Sequence, residues 1–295
     1  MQGNRINYNH RFSHTFAQLA EIVPQGPSRC TATDLHNHIL ATGLVFNQMS
    51  AKAGVKRYGA RAVEAIVKEC KQLNKKDAFK PRNMKDLTST KRTQALGSIT
   101  LVKEKRCGKI KGCTCADGCS QRDYTSREDS TSPTVSIEGL MISIAIDARE
   151  KRHVATADIE GAYLHANMKD TVIMLFEGDM VDYMVQANPE KYGPYVHTTK
   201  SGKKLLFVQL QKALYGCMKS ALLWYKLFTS TLKKMGFELN PYDACVANKM
   251  INGKQCTICW YVDNLKISHV EQSIVEDIIA TTERLYGNIE FTHGQ

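Results

Sequence analysis

The stretch Cys259-Trp260-Tyr261-Val262-Asp263-Asn264 decides how this chain folds. It is an apolar run that ends in a carboxylate and an amide, which predicts a buried strand with polar side chains at its end. A second apolar run, residues 154–158, also ends in an aspartate, Asp158. Each acid alone is typical of a turn-capping aspartate. Brought together by the fold, the two would supply the carboxylates that a two-metal phosphoryl-transfer site needs.

The composition predicts a globular protein with a polyanionic partner. The chain has 295 residues, 43% of them hydrophobic, and a net charge of +11. Residues 51–125 hold 19 Lys and Arg against 7 Asp and Glu, so this quarter of the chain carries the whole excess. A solvated basic surface is the alternative, but charge concentrated in this way favours nucleic acid.

Cysteine usage and hydropathy predict the compartment. Ten cysteines, no apolar leader after Met1 and no membrane-length apolar run lead us to expect free thiols in a soluble, intracellular, cytoplasmic protein. Cys107, Cys113, Cys115 and Cys119 lack the paired spacing of structural zinc sites, so zinc is not predicted. Cys256 and Cys259 lie three apart in a predicted strand, which points them to opposite faces.

Periodicity predicts the elements of the first half. Apolar residues from Val63 to Cys70 recur at helical spacing, with basic residues on the outer side. Residues 98–102 suit a strand inside a basic region that runs from Lys75 to Arg122. Ser132-Pro133 is typical of a helix start. The helix expected behind it carries its apolar side chains on one face: Ile137, Leu140, Met141, Ile144 and Ala148.

The second half alternates strands and helices. Strands are predicted at residues 172–176, 205–210, 245–251 and 255–262, and the last two are joined by Asn252-Gly253, a strong hairpin signal. Helices are predicted from about 220 to 235 and around 274–285. The order predicts an α+β fold with a split β-α-β sheet and helices on one face. We expect residues 1–58 to be a segment of unclear role and residues 59–295 to form one domain.

Five ordered motifs in residues 85–295 resemble the fingers and palm of copia-type LTR-retrotransposon reverse transcriptases. They are the basic hairpin at 105–122, the segment at 130–135, the acidic motif at 158–166, the motif at 210–220 with Trp224-Tyr225, and the aromatic-Val-Asp motif at 261–264. The resemblance implies fingers at about 75–135 and a palm at about 136–295. It also leads us to expect a chain truncated before the primer grip, with the thumb absent.

The resemblance implies an RNA-directed DNA polymerase that extends a DNA primer on an RNA template with deoxynucleoside triphosphates. Asp158 and Asp263 would ligate two Mg²⁺ ions, and Asn264 occupies the position of the family's second motif aspartate. Tyr163 would act as the steric gate that excludes a ribose 2′-hydroxyl, which is the feature that separates the two sugars. From its sequence pattern alone, Tyr163 reads as a buried aromatic.

Further residues would surround the nucleotide. The resemblance implies that Lys111 and Lys105 approach the triphosphate or the template backbone as point charges. Lys219 and Ser220 would line the pocket for the incoming nucleotide, and Tyr215 would help to shape it.

Two substitutions and the end of the chain depart from the family pattern. Asn264 removes one negative charge from the metal site, and Cys113 stands where the family usually has an arginine that can grip phosphate. We therefore expect this chain to be inactive or strongly impaired as a polymerase. The alternative is a non-catalytic nucleic-acid-binding relic of a retroelement polyprotein, and a third is a pseudogene product that does not fold stably. A virus-like particle would be the setting of the parent element.

Overall fold

Two β-sheets organise the part of the chain that the computed structural model describes, which is residues 48–105, 107–123 and 125–294. The expectation for residues 1–47 lies outside this part. The strands of the two sheets are β1 (Gln48–Ser50), β2 (Phe79–Arg82), β3 (Leu96–Glu104), β4 (Ile110–Ala116), β5 (His153–Ile159), β6 (Ile173–Glu177), β7 (His197–Thr198), β8 (Lys204–Leu210), β9 (Glu238–Leu239), β10 (Val246–Ile251), β11 (Lys254–Tyr261), β12 (Asn264–His269) and β13 (Ile289–His293).

The helices of the same part range from one to about four turns. They are α1 (Ala51–Tyr58), α2 (Ala60–Lys75), α3 (Ser89–Thr93), α4 (Arg127–Ser130), α5 (Ile137–Glu150), α6 (Asp179–Ala187), α7 (Pro189–Tyr192), α8 (Ser220–Lys234) and α9 (Gln272–Tyr286). Among the described residues, none of the helices is long and apolar enough to cross a membrane.

The first sheet has seven strands in the order β1-β3-β6-β8-β2, with β4 added beside β3 and β7 beside β8. The helix α2 packs against this sheet. Its Ile66 and Cys70 are buried and its Lys68 and Lys71 are exposed, as its periodicity predicts. The predicted helix and the strand at 98–102 are thus confirmed. β1 and α1 precede residue 59, and the compact unit begins at Gln48, because β1 pairs with β3.

The second sheet has six strands in the order β13-β5-β12-β11-β10-β9. The predicted hairpin between β10 and β11 is confirmed, and Asn252 and Gly253 both have positive φ, 52° and 73°, as a tight hairpin turn requires. β5 lies between β12 and β13. Its Asp158 is opposite Asn264 on one side and Glu290 on the other.

Helices cover both faces of this second sheet, so the prediction of helices on one face is wrong. α8 and α9 cover one face with buried side chains that include Trp224, Phe228 and Val275. α5 lies on the other face, where the Ser143 hydroxyl contacts Cys259 at 3.4 Å. Cys256 belongs to the core on the α8 side, which confirms that the two cysteines point in opposite directions.

The predicted orientation and start of α5 are also wrong. The helix begins at Ile137 after an N-cap by Ser136, rather than at Ser132-Pro133. Its apolar face is exposed, with Ile137 at 74% and Met141 at 58% of full exposure. The buried side of the helix is polar instead, because its acid, Asp147, pairs with Lys266 of β12 and with Arg152 just before β5.

That buried ion cluster fixes α5 on the sheet. Asp147 pairs with Lys266 of β12 and lies 3.9 Å from Arg152. Arg152 also donates to Thr257 of β11 at 3.0 Å. Removing one partner of such a buried set leaves an unpaired charge, which costs about 3–5 kcal/mol.

Two glycines allow the end of β4 to lie close to the loop before α8. Gly216 has φ +90°, and a Cβ on it would lie 1.9 Å from the carbonyl oxygen of Ala116 at the end of β4. A Cβ on Gly118 would lie 2.1 Å from the carbonyl oxygen of Gly216. The amide of Ala116 donates to the Tyr215 carbonyl at 2.8 Å. Only glycine permits this approach of β4 to the loop before α8.

We predict that Gly216→Ala lowers the free energy of unfolding by more than about 3 kcal/mol or prevents folding, because its Cβ meets backbone that cannot move away. Gly253→Ala is the matched control: it also has positive φ but faces open space, so its loss should be about 1 kcal/mol. Urea denaturation of both variants measures the difference. Equal losses would contradict the packing argument.

Candidate active site

A two-residue turn between β11 and β12 holds the second acid. Tyr261 pairs with Asn264 across the turn, so that Val262 and Asp263 form its tip. Val262 has φ +58°, a conformation that is strained for a β-branched residue. Two bonds hold the turn: Trp224 Nε1 donates to the Val262 carbonyl at 2.7 Å, and the Ile159 amide donates to the Asp263 carbonyl at 3.0 Å.

Asp158 and Asp263 line one cavity of about 200 Å³, which we call the acid pocket. Its other charged walls are Lys111 from β4 and two further acids, Glu69 and Glu160. Strands separated by more than a hundred residues therefore bring the two predicted acids together. The turn and the end of β5 achieve this because they are bonded directly through Ile159 and Asp263.

The surroundings of Asp158 raise its pKa. Burial is the main cause that raises the pKa of Asp158, and the charge of Asp263 raises it further. The Lys111 ammonium opposes these effects, while Glu290 and Glu160 add to them. A carboxylate held against its neighbours in this way is stabilised by a cation placed between them.

Asn264 lies beside the acids rather than apart from them. Its side-chain amide donates to Asp263 Oδ1 at 3.1 Å, an interaction that an ionised aspartate at this position could not make. On the sheet surface, Asn264 shares a second cavity of about 580 Å³ with Asp158, Glu290 and Tyr261. Asp158 therefore lies between the uncharged Asn264 on one neighbouring strand and the acidic Glu290 on the other.

Two aromatic side chains form a wall next to Asp263. The Tyr215 hydroxyl donates to Asp263 Oδ2 at 2.8 Å, and the rings of Tyr215 and Tyr163 lie 4.2 Å apart between centroids. Burial, followed by the charge of Asp263, raises the pKa of both hydroxyls. Tyr163 lies in a short 3₁₀ turn, Ala162–His165, that starts directly after the Asp158 strand.

Three of the predicted nucleotide contacts lie away from the acid pocket. Lys105 is in the turn that joins β3 to β4, where its amide donates to the Lys109 carbonyl at 2.8 Å. Lys219 pairs with Asp170 at 2.8 Å and lines a different cavity. Ser220 is fully buried and accepts a hydrogen bond from the Leu214 amide at 3.0 Å.

The structure therefore separates these residues from the two acids. The Ser220 hydroxyl is buried and accepts the hydrogen bond of the Leu214 amide, and its nucleotide contact stays a prediction. Lys219 is neutralised by an acid that sequence spacing does not reveal. Lys111 is the predicted cation that the structure brings to the acids.

Sequence reasoning assigned no role to three acids of the site, Glu69, Glu160 and Glu290. Glu69 of α2 accepts a bond from the Thr114 amide at 3.3 Å, and burial raises its pKa. Its helical position offers no signal, since a carboxylate between apolar positions normally faces solvent. Glu290 lies opposite Asp158 in register. Recognising residues 289–293 as a strand beside β5 would have found it.

The donor set fits a hard cation that brings its own ligands. Among the described residues, no three His, Cys, Asp or Glu side chains are grouped to hold a metal ion by themselves. Mg²⁺ prefers one or two carboxylates and takes its remaining oxygens from water and substrate phosphates. Asp158 and Asp263 in an otherwise open pocket match that preference.

Comparison with known proteins agrees with the motifs. Residues 83–287 match the model of a protein family described as reverse transcriptase (RNA-dependent DNA polymerase). The truncated transposon Ty1-A Gag-Pol polyprotein of Saccharomyces cerevisiae is 26% identical over 225 residues, 76% of this chain and 17% of that protein. The transposon Ty1-DR5 Gag-Pol polyprotein of the same yeast has the same identity over 11% of its length. The chain therefore spans less than a fifth of the relatives it matches.

The raised pKa of Asp158 predicts a pH-dependent stability. A carboxyl whose pKa is higher in the folded than in the unfolded protein stabilises the fold fully below the unfolded pKa, and this contribution is lost as the pH rises through the folded pKa. We expect Asp158→Asn to raise the free energy of unfolding at about pH 7 by less than about 1 kcal/mol, because water screens the exposed part of the carboxylate.

The same variant should leave stability unchanged at about pH 3.5, where the acid is largely protonated in both states. Urea denaturation at the two pH values measures the change. An equal gain at both would show that the acids do not repel each other.

Proposed function

Because the chain belongs to the reverse transcriptase family, we propose that it binds an RNA template, a DNA primer and deoxynucleoside triphosphates and extends the primer 3′-end inside the cell. The observation that carries the proposal is the convergence of Asp158 and Asp263 on the acid pocket beside Lys111. The family match covers the strands that supply both acids. Nucleotide addition is catalysed largely by positioning and by neutralising phosphate charge, and these residues provide both.

Two Mg²⁺ ions would be held by Asp158 and Asp263, with the Asn264 side-chain oxygen as a neutral third donor. When bound, such ions lower the pKa of the attacking 3′-hydroxyl and neutralise the triphosphate. The turn at Val262 fixes the Asp263 carboxylate, and the Tyr215 hydroxyl holds one of its oxygens. The strain at Val262 is of the kind found at functional sites.

Lys111 and Tyr163 would select and hold the nucleotide. Lys111 lines the acid pocket, where an ammonium can neutralise a triphosphate oxygen. Tyr163 follows the Asp158 strand and packs on Tyr215. Its ring would occupy the space of a 2′-hydroxyl and so select deoxynucleotides.

The fingers and palm can be assigned to the two sheets. We assign the palm to the six-stranded sheet, because it carries Asp158 and the turn with Asp263. The seven-stranded sheet would form the fingers, since its hairpin β3–β4 brings Lys111. This assignment moves β6 and β8, at residues 173–210, from the expected palm range to the fingers.

We propose that Asn264 impairs the reaction, because it removes one negative charge from the metal site. In primer extension with an RNA template, Asn264→Asp should raise the initial rate by about tenfold or more, which corresponds to about 1.4 kcal/mol of transition-state stabilisation. Asp158→Asn should abolish incorporation.

Asn248→Asp serves as the control for this experiment. It adds the same charge at a site outside the acid pocket, where Asn248 Oδ1 only accepts bonds from Gln255 and Thr257. An equal rise with this variant would contradict the metal-site explanation. Robust incorporation by the unchanged chain would contradict the impairment, and none with Asn264→Asp would contradict the polymerase.

The charge loss at Asn264 favours a second candidate, a nucleic-acid-binding protein without catalysis. The described residues between 51 and 125 still present the basic hairpin β3–β4. We expect the affinity for a labelled RNA–DNA primer-template to fall steeply with salt, by about tenfold or more between 50 and 200 mM, because several phosphate contacts release counterions. Fluorescence anisotropy measures this, and a flat salt response would contradict nucleic-acid binding in both candidates.

A further inference from the structure

Two thiols lie side by side on β4, and one of them lines the acid pocket. Cys113 and Cys115 are two residues apart on β4, so their side chains share one face of the strand. Their sulfur atoms are 3.7 Å apart, and both residues are partly exposed. Cys113 lines the acid pocket together with Asp158 and Asp263. The catalytic reading of the site assigns no role to this pair.

We propose that Cys113 and Cys115 form an oxidation site, at which a peroxide converts the dithiol to a disulfide and thereby disables the acid pocket. The formation of the disulfide is argued from the geometry of β4 and does not depend on the proposed function. Its effect on nucleotide binding rests on the proposed function. A zinc site is not proposed here, since the pair belongs to no group of three metal-ligating side chains among the described residues.

The strand geometry permits a disulfide between Cys113 and Cys115, but a strained one. A strand advances about 3.3–3.4 Å per residue, so the Cα atoms of residues i and i+2 are about 6.7 Å apart, near the upper limit for a disulfide. Within the described residues, the strand partner of β4 is β3. The other edge of β4 is held by the bond of the Thr114 amide to Glu69 and by the bond of the Ala116 amide to the Tyr215 carbonyl. A strained disulfide is easily reduced, which makes it reversible.

The chemistry is balanced with hydrogen peroxide as the oxidant. The Cys113 thiolate attacks one peroxide oxygen, the O–O bond breaks, and sulfenic acid and hydroxide form. Cys115 sulfur then attacks Cys113 sulfur, the S–O bond breaks, and water leaves with the thiol proton. Two thiols lose two electrons and peroxide becomes two waters. The hydrogen bond from Cys115 lowers the pKa of Cys113, which suits it as the attacking sulfur.

The fold couples this pair to Asp263. A bond between the two sulfurs shortens β4 at Thr114, whose amide is bonded to Glu69. It also pulls on Ala116, whose amide is bonded to the carbonyl of Tyr215. The Tyr215 hydroxyl in turn holds Asp263 Oδ2. At Gly118 and Gly216 the backbones of β4 and of the loop before α8 are in close contact. A displacement of β4 is therefore transmitted to Asp263.

Mass spectrometry tests the disulfide without requiring any activity. Trypsin releases residues 112–122 as one peptide that contains Cys113, Cys115 and Cys119. The full chain with Cys119→Ser leaves two thiols in it. After treatment with hydrogen peroxide, we expect this peptide to lose two hydrogen atoms and to regain them with dithiothreitol.

Adding Cys115→Ser to that chain should leave a sulfenic acid at Cys113 that dimedone traps. Two unreacted thiols under peroxide, or irreversible sulfinic acid alone, would overturn the proposal.

Binding of a fluorescent deoxynucleoside triphosphate with Mg²⁺ tests the coupling. We expect peroxide to weaken binding by about tenfold or more in the Cys119→Ser chain, since small displacements at a reacting centre have large effects. Reductant should restore it, and Cys113→Ser and Cys115→Ser should remove the sensitivity.

A disulfide without any loss of nucleotide binding would overturn the coupling. A reduced chain that binds no nucleotide, yet forms the disulfide, would instead count against the proposed function.

Discussion

The antiparallel pairing of β5 with β12 is the constraint on which the site depends. It places Asp158 opposite Asn264 and continues into the bond from the Ile159 amide to the Asp263 carbonyl. A shift of one residue would turn Asp158 into the core and Ala157 toward the pocket. The core prevents this shift, because Ala155, Ala157 and Ile159 are buried on the face that α8 and α9 cover.

The turn at Val262 shows how packing maintains a strained geometry. Positive φ at a β-branched residue is unfavourable by about 1–3 kcal/mol, and one hydrogen bond from Trp224 returns only about 1 kcal/mol. The bond from the Ile159 amide to the Asp263 carbonyl contributes as well. So does the aromatic cluster around Trp224, whose ring stacks on Phe228 at 5.3 Å and meets Tyr286 edge-on at 5.3 Å. The nucleotide-pocket motif of the sequence therefore contributes to the site through its tryptophan, which anchors the turn from beneath.

Local patterns predicted those elements whose apolar side chains decide their position. The helix at residues 60–75, the hairpin at Asn252-Gly253 and the two strand-end acids are of this kind. Periodicity failed for α5, because buried charges at Asp147, Lys266 and Arg152 orient that helix and leave its apolar face outside. No pattern in one segment can reveal a partner that lies more than a hundred residues away.

The same reason explains which site residues were found. Asp158 and Asp263 end apolar strands, so each carried a local signal. Glu69 and Glu290 reach the site through tertiary contacts alone. Lys219 and Ser220 match a motif, but Asp170 and the Leu214 amide engage them. A match to a motif therefore predicted the family better than it predicted the role of each side chain.

We propose that Asp158 and Asp263 together hold a divalent cation. Iron-directed cleavage tests it most directly: Fe²⁺ placed in a Mg²⁺ site generates hydroxyl radicals with ascorbate and peroxide, and these cut the nearby backbone. To keep β4 out of this redox chemistry, the chain would carry Cys113→Ser and Cys115→Ser. We expect cuts near both 158 and 263 that excess Mg²⁺ suppresses and that Asp158→Asn weakens at both places. Cuts at one of the two segments alone, or cuts that Mg²⁺ does not suppress, would contradict it.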